Sequence, residues 1–225
     1  MIGSAWPLLL LAAVAAAVDW WAVWNADRAP RTRVVERVAK PAVLLALVAV
    51  ALVAPPGEAS WATAVRPFLV AALVGSLAGD VLLLPGGSFI GGLVAFLLGH
   101  VAYIGAFAQV PVGPLGLIGG STAAAILAGV VGRLIVGGAA RSGLRIPVIA
   151  YLGVILVMAV LATGTLIPAA VMGAWLFVAS DSMLGWGQFV MAKDPAGGRG
   201  DRRLNLAVIV TYHLGQAALL VALAG

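Results

Sequence analysis

Residues 144–162 read LRIPVIAYLGVILVMAVLA, and after Arg145 this stretch has no charged side chain. A helix needs about 20 mostly apolar residues to cross the hydrocarbon core of a bilayer. Similar runs recur along the chain, which is 63% hydrophobic and only 9% charged. A soluble domain of this size needs more polar surface to cover its core. The runs are continuous and do not alternate as barrel strands do, so they predict an all-α membrane protein.

We predict a single domain over residues 1–225, built from about eight membrane-spanning helices. The second predicted span is short, and it could begin near Val34 if the Lys40 side chain reaches the interface. The connections are short and rich in Pro and Gly, which leaves no room for a soluble domain. The predicted spans are approximately Trp6–Trp24, Pro41–Ala54, Pro67–Leu84, Phe89–Ala108, Leu115–Val136, Leu144–Ala162, Leu166–Val190 and Leu204–Ala224.

The basic residues predict the orientation of these spans. All of them except Arg66 lie in or beside the first, fifth and seventh connections. Basic loops are cytoplasmic as a rule, so both termini should face outward. No basic residue precedes the first span, which favours a retained helix over a signal peptide. A composition rich in Ala, Val, Gly and Arg with only two lysines suggests a bacterial protein, and hence the inner (plasma) membrane.

Ionisable residues within the spans are the first candidates for chemistry, because such groups are costly in hydrocarbon and are usually functional. With a helical rise of about 1.5 Å per residue, all of them fall in the cytoplasmic half of the membrane or near its midplane. This common depth predicts one polar cavity open to the cytoplasm. The residues are Asp19, Asp80, His100, Asp181 and His213.

Three of these candidates also have a purely structural interpretation. Asp19 adjoins Trp20 and Trp21, so we expect its carboxyl to reach headgroups or basic partners at an interface. A hydrogen bond between helices would explain His213 as well as a functional role would, and it is a close alternative for His100. Packing alone does not explain Asp80 and Asp181, which lie deep in the membrane with few cations available.

Polar and aromatic residues share helix faces with these candidates. They could line a ligand site, or they could only hydrogen-bond neighbouring helices. Small neighbours of the two deep aspartates, such as Gly79, Ser180 and Ser182, would let a ligand approach closely. The sets are Ser76 with Asp80, Phe96 with His100 and Tyr103, Asp181 with Gln188, and Asn205 with Tyr212 and Gln216.

Two carboxyl groups that share a low-dielectric cavity do not both ionise, which leaves one acid and one base. That arrangement suits cleavage of acetal-like C–O bonds. A zinc hydrolase would instead need three His or a His/carboxylate set. The chain has two histidines and no cysteine, so we predict neither a metal nor another cofactor.

Three segments and two shorter matches resemble the YhhN family, whose animal members are lysoplasmalogenases. The segments are residues 76–83 (SLAGDVLL), 92–103 (GLVAFLLGHVAY) and 177–184 (FVASDSML). The shorter matches are Lys40 with Pro41, and Thr211 with Tyr212 followed by Gln216. The matches run in family order over nearly the whole chain. His213 stands where the family would have an apolar residue.

The resemblance implies hydrolysis of the vinyl ether of lysoplasmalogens, which gives a fatty aldehyde and glycerophospho-ethanolamine or -choline. We assign Asp80 and Asp181 as catalytic: one protonates the enol ether and the other stabilises the oxocarbenium ion, in an order that the sequence leaves open. The predicted partner is a lysophospholipid in the membrane, and not a nucleic acid. The predicted substrate-binding residues are Lys40, Ser76, His100, Tyr103, Ser180, Gln188, Tyr212 and Gln216.

A non-enzymatic lipid transporter or a proton-coupled transporter is the alternative function. In such a protein the buried Asp and His residues would relay protons. Short loops and the lack of paired, Gly/Pro-broken helices weigh against it.

Overall fold

The chain is built from helices that run back and forth through one bundle. A computed structural model describes residues 5–26, 31–84, 86–191 and 202–224, and these ranges contain no β-strand. A π-helical turn, Ala128–Gly132, joins α5 to α6 in one continuous rod, so the described residues form eight rods. The helices are α1 Trp6–Trp24, α2 Arg31–Val53, α3 Ala62–Leu82, α4 Phe89–Phe107, α5 Pro114–Leu127, α6 Arg133–Arg141, α7 Arg145–Gly164, α8 Pro168–Phe189 and α9 Arg202–Ala224.

Seven of these rods are long and apolar enough to cross a membrane. Their outer surface carries large apolar side chains, such as Leu115 and Ile146, which are 77% and 79% exposed. A soluble protein would cover such side chains, whereas lipid solvates them. The prediction of a polytopic helical membrane bundle is therefore confirmed, and the chain is an integral membrane protein.

The remaining rod, α2, is longer than the predicted span from Pro41 and agrees better with the alternative start near Val34. The helix begins at Arg31, because charged residues with long straight side chains are good helix formers. Glu36 and Lys40 also lie one turn apart, a spacing that stabilises a helix. Most of the charged residues that were assigned to the first connection therefore belong to α2. As a result, α2 places Glu36 and Lys40 inside the bundle.

Close helix pairs hold the functional elements in place. The pairs α3–α4 and α8–α9 have the most extensive contacts, and α9 also contacts α1, α2 and α3. Glycines permit the approach of α8 to α9: a Cβ atom on Gly173 would lie 2.9 Å from the carbonyl oxygen of Gly215. Small residues at a crossing let membrane helices pack backbone to backbone. As a result, α9 lies between the helices that carry the two deep aspartates.

Candidate functional site

A polar cavity of about 350 Å³ lies at one end of the bundle. The C-terminal ends of α1, α3 and α8 and the N-terminal halves of α2, α4 and α9 enclose it. This is the end that the basic residues predict to be cytoplasmic. Two of the five ionisable residues within the predicted spans, Asp80 and Asp181, line it, and the other three do not. Its polar lining comprises Glu36, Lys40, Asp80, Ser180, Asp181, Gln188, Arg202, Asn205 and Tyr212.

Asp80 has a cation and a phenol as partners. It lies near the C-terminus of α3 and is fully buried. The Nζ atom of Lys40 is 3.3 Å from Asp80 Oδ1, and the hydroxyl of Tyr212 donates a hydrogen bond of 2.9 Å to Oδ2. Charge-assisted contacts of this kind stabilise a carboxylate in a buried position.

Asp181 has different partners. The hydroxyl of Tyr151 on α7 donates a hydrogen bond to Asp181 Oδ2. The Nε2 atom of His100 is 3.9 Å from the same oxygen, beyond the reach of a direct hydrogen bond. Within the described ranges, no lysine or arginine lies within ion-pair distance of Asp181. The two carboxyl groups of the cavity therefore sit in chemically distinct surroundings.

Aromatic rings pack around both aspartates. The ring of Phe177 lies 4.6 Å from His100 and 5.3 Å from Tyr212, measured between centroids. Phe96 packs edge-on against Phe177 and Tyr212, and His100 packs edge-on against Tyr151. Interlocked rings of this kind have few alternative rotamers, so they fix the phenols that hydrogen-bond the carboxyls.

Four of the predicted substrate-binding residues are absent from the cavity lining. His100 stands behind the aromatic rings, near Asp181. Ser76 lies at the α3–α4 contact, where its Oγ atom would be 3.3 Å from a Cβ atom on Gly99. Tyr103 and Gln216 are buried and joined by a hydrogen bond of 2.6 Å. The cavity brings together the other predicted residues, Lys40, Asp80, Ser180, Asp181, Gln188 and Tyr212.

Ser180 lines the cavity and also hydrogen-bonds a neighbouring helix. Its hydroxyl donates a hydrogen bond of 3.0 Å to the backbone oxygen of Val208 on α9. This bond ties α8 to α9 one residue before Asp181. Ser180 therefore helps to fix the height of that aspartate relative to α9.

The interpretation of Asp19 as an interface residue is wrong. Its side chain is fully buried, and neither carboxyl oxygen has a hydrogen-bond partner in the described part of the chain. Nearby, the indole of Trp20 donates a hydrogen bond of 3.1 Å to His213 Nδ1 on α9. Because α1 is apolar on all sides, its sequence does not reveal which face packs against α2 and α9.

Sequence reasoning missed Tyr151 as a site residue. Tyrosines in membrane helices are commonly interface anchors, and Tyr151 was not predicted to be a site residue. In the structure its hydroxyl points inward to Asp181. One signal was available: Tyr151 lies in the sixth predicted span at a depth similar to that of Asp181 in the seventh. Neighbouring antiparallel helices bring residues at equal depth within reach of each other.

The described residues include no group of three or more His, Cys, Asp or Glu side chains that could hold a metal ion. The polar groups of the cavity are instead carboxyls, phenols, amides and cations. Acid–base chemistry and anion binding are the functions that such groups perform.

Comparison with known proteins identifies the relatives of this bundle. The model of the YhhN family matches residues 35–223. The chain belongs to the YhhN family. All the polar residues of the cavity lie inside the matched region of this YhhN protein, whereas Asp19 lies outside it.

The YhhN chain is also similar to a named mouse protein, lysoplasmalogenase TMEM86B from Mus musculus. The two are 32% identical over 169 residues, which is 75% of this chain and 66% of the mouse protein. The match thus spans slightly less than two thirds of that relative's length. No solved structure matches the chain.

Proposed function

We propose that this YhhN protein is a membrane-embedded ether hydrolase that cleaves the vinyl ether of lysoplasmalogens. The observation that carries the proposal is the pair of carboxyls, Asp80 and Asp181, which line one cavity but differ in their partners. Similarity to a protein named lysoplasmalogenase supports it. We further propose the bacterial inner membrane as its location.

Asp181 is the proposed acid and Asp80 the proposed base. The ion pair with Lys40 keeps Asp80 negative, whereas among the described residues the imidazole of His100 is the one basic group beside Asp181. Asp181 gives its proton to the β-carbon of the double bond, and the π electrons form the new C–H bond. The resulting oxocarbenium ion is stabilised by the Asp80 carboxylate.

Water then completes the reaction. It attacks the α-carbon and loses a proton to Asp80, which forms a hemiacetal. The C–O bond to glycerol breaks as Asp80 returns that proton to the departing oxygen. The hemiacetal hydroxyl proton passes to Asp181. The products are a fatty aldehyde and a glycerophospholipid alcohol, and both carboxyls regain their starting states.

The charged lining of the cavity suits a phospholipid headgroup. Lys40 and Arg202 can bind a phosphate, and Glu36 can bind an ethanolamine or choline cation. Arg202 is itself positioned by Trp24, whose ring centroid lies 4.6 Å from its guanidinium carbon.

The test is a product assay on purified protein in detergent. A vinyl-ether lysophospholipid should yield fatty aldehyde, and a strong chelator should not reduce the rate. Loss of activity on chelation that zinc restores would make the protein a metallohydrolase instead. A transporter would release no aldehyde.

A further inference from the structure

A second cavity, of about 70 Å³, adjoins the polar one. It lies between α4, α6, α7 and α8, and almost all of its lining is apolar. Leu93, Ile135, Val148, Leu152 and Ile155 contribute to its walls. Burial of hydrocarbon is the interaction that such walls favour.

The two cavities meet at Asp181. That residue lines both, together with Leu83, Phe89, Phe96 and Leu184. Asp80 and Lys40 line only the polar cavity. Asp181 thus stands at the boundary between a polar and an apolar compartment.

We propose that the apolar cavity binds the start of the alkenyl chain and so sets the chain specificity of the enzyme. The inference rests on the proposed function. In a vinyl ether, the carbon that accepts the proton also carries the alkyl chain, and its neighbour carries the oxygen to glycerol. The acid must therefore lie between the binding site of the alkenyl chain and that of the glycerol. Asp181 has this position, because it lines both cavities.

The size of the cavity limits what it can recognise. A volume near 70 Å³ holds only the first carbons after the double bond. Leu184, which lines both cavities, is 38% exposed, and we expect the rest of the alkenyl chain to leave the cavity beside it. The cavity should therefore discriminate against branching near the double bond and tolerate different chain lengths.

Two substitutions change the cavity in opposite directions. Leu152→Ala enlarges it. Gly185→Ala narrows it, because the added methyl would lie 3.1 Å from Ile135 Cγ2 and that side chain must shift slightly. Gly153→Ala is the matched glycine control, since a Cβ atom there has nothing within 4 Å. Ile149→Ala, at a half-exposed position of α7, is the control for truncation.

The measurement compares two vinyl-ether lysophospholipids, one with a straight chain and one with a methyl branch on the first saturated carbon. Leu152→Ala should raise the branched-to-straight ratio of kcat/KM by about tenfold, and Gly185→Ala should lower it. Both controls should keep the wild-type ratio. An unchanged ratio in both cavity variants, with aldehyde still released, would overturn the proposal. A thermal melt accompanies each variant, and if one fails to fold, the other decides.

A binding experiment separates this proposal from the proposed function. Saturated alkyl-ether lysophospholipids, straight and branched, cannot be cleaved by this mechanism, so their Kd values need no catalysis. If the wild type releases no aldehyde, the reaction is wrong. A Kd ratio that still shifts in opposite directions in Leu152→Ala and Gly185→Ala would then support the chain site, and a constant ratio would reject it.

Discussion

The two aspartates differ by a few contacts, and the roles proposed for them rest on that difference. Lys40 lies beside Asp80, whereas a phenol and an imidazole lie beside Asp181. Tyr212 donates to one carboxyl and Tyr151 to the other. An acid and a base that work in sequence need unlike surroundings, because each must be in the opposite protonation state when the reaction starts.

Asp80→Asn and Asp181→Asn should each lower the rate of aldehyde release by about 10²–10⁴-fold. Asparagine is nearly isosteric and can still accept the hydrogen bonds of Tyr212 or Tyr151, so packing should survive. It can neither deliver the proton nor carry the negative charge. The rate is measured in detergent beside a thermal melt of each variant.

Asp19→Asn is the control for these variants. Asp19 is equally buried but does not line the cavity, so its replacement should cost much less activity. Near-normal turnover of both folded variants, Asp80→Asn and Asp181→Asn, would refute the two-carboxylate mechanism.

Tyr151→Phe should lower kcat by about tenfold and change KM little, because it deletes the hydrogen bond that orients the proposed acid. Thr163→Val is the control: it removes a hydroxyl that accepts a hydrogen bond of 3.0 Å from Trp175, at the other end of the bundle. Steady-state kinetics on both variants test whether Tyr151 contributes to the reaction. If kcat of Tyr151→Phe equals that of the control, Tyr151 has no part in the reaction.

At the scale of helices, close backbone approach holds the site together. A Cβ atom on Gly173 would meet the backbone of Gly215, which cannot turn away as a side chain can. Gly173→Ala should therefore destabilise the protein by about 1–3 kcal/mol. Gly119→Ala, where a Cβ atom meets nothing within 4 Å, should be neutral or slightly stabilising. Thermal unfolding in detergent compares the two, and equal midpoints would contradict the role of this contact.

Helix ends were predictable where an apolar run stops near Pro or Gly: α4 begins at Phe89 as predicted and ends one residue before the predicted Ala108. For α2, hydropathy alone indicated a start at Pro41 because it does not detect a charged helical segment that precedes an apolar one, and only the alternative start near Val34 came close to Arg31. The buried face of each helix was harder to predict than its ends. The side chains of Asp19 and Tyr151, for example, both point inward. A helix that is apolar all round carries no amphipathic signal, since lipid and core solvate it alike. The ion pair between Lys40 and Asp80 could not be predicted from the sequence, because it depends on how α2 packs against α3.

For the whole molecule, the position of the cavity makes sidedness a functional question. Its lining includes Glu36, Lys40 and Arg202, and it lies at the end that the basic residues predict to be cytoplasmic. If that orientation holds, substrate reaches the site from the inner leaflet and both termini face outward. Arg28, Lys193 and Arg199, on which the orientation partly rests, lie outside the described residues, as do positions 30 and 197, the obvious sites for a label.

Ser142 and Ser60 offer described positions for the topology test. Both are exposed: Ser142 lies in the turn between α6 and α7, beside Arg141, and Ser60 lies between α2 and α3. Since the chain has no cysteine, Ser142→Cys and Ser60→Cys each introduce one thiol with little change in size. A membrane-impermeant maleimide applied to intact cells should label Ser60→Cys only, whereas inside-out vesicles should expose Ser142→Cys only. Labelling in the reverse pattern would invert the bundle and place the cavity mouth outside. Labelling of both thiols from one side would show that an even number of rods, not an odd number, separates these turns, and the eight-span arrangement would fall.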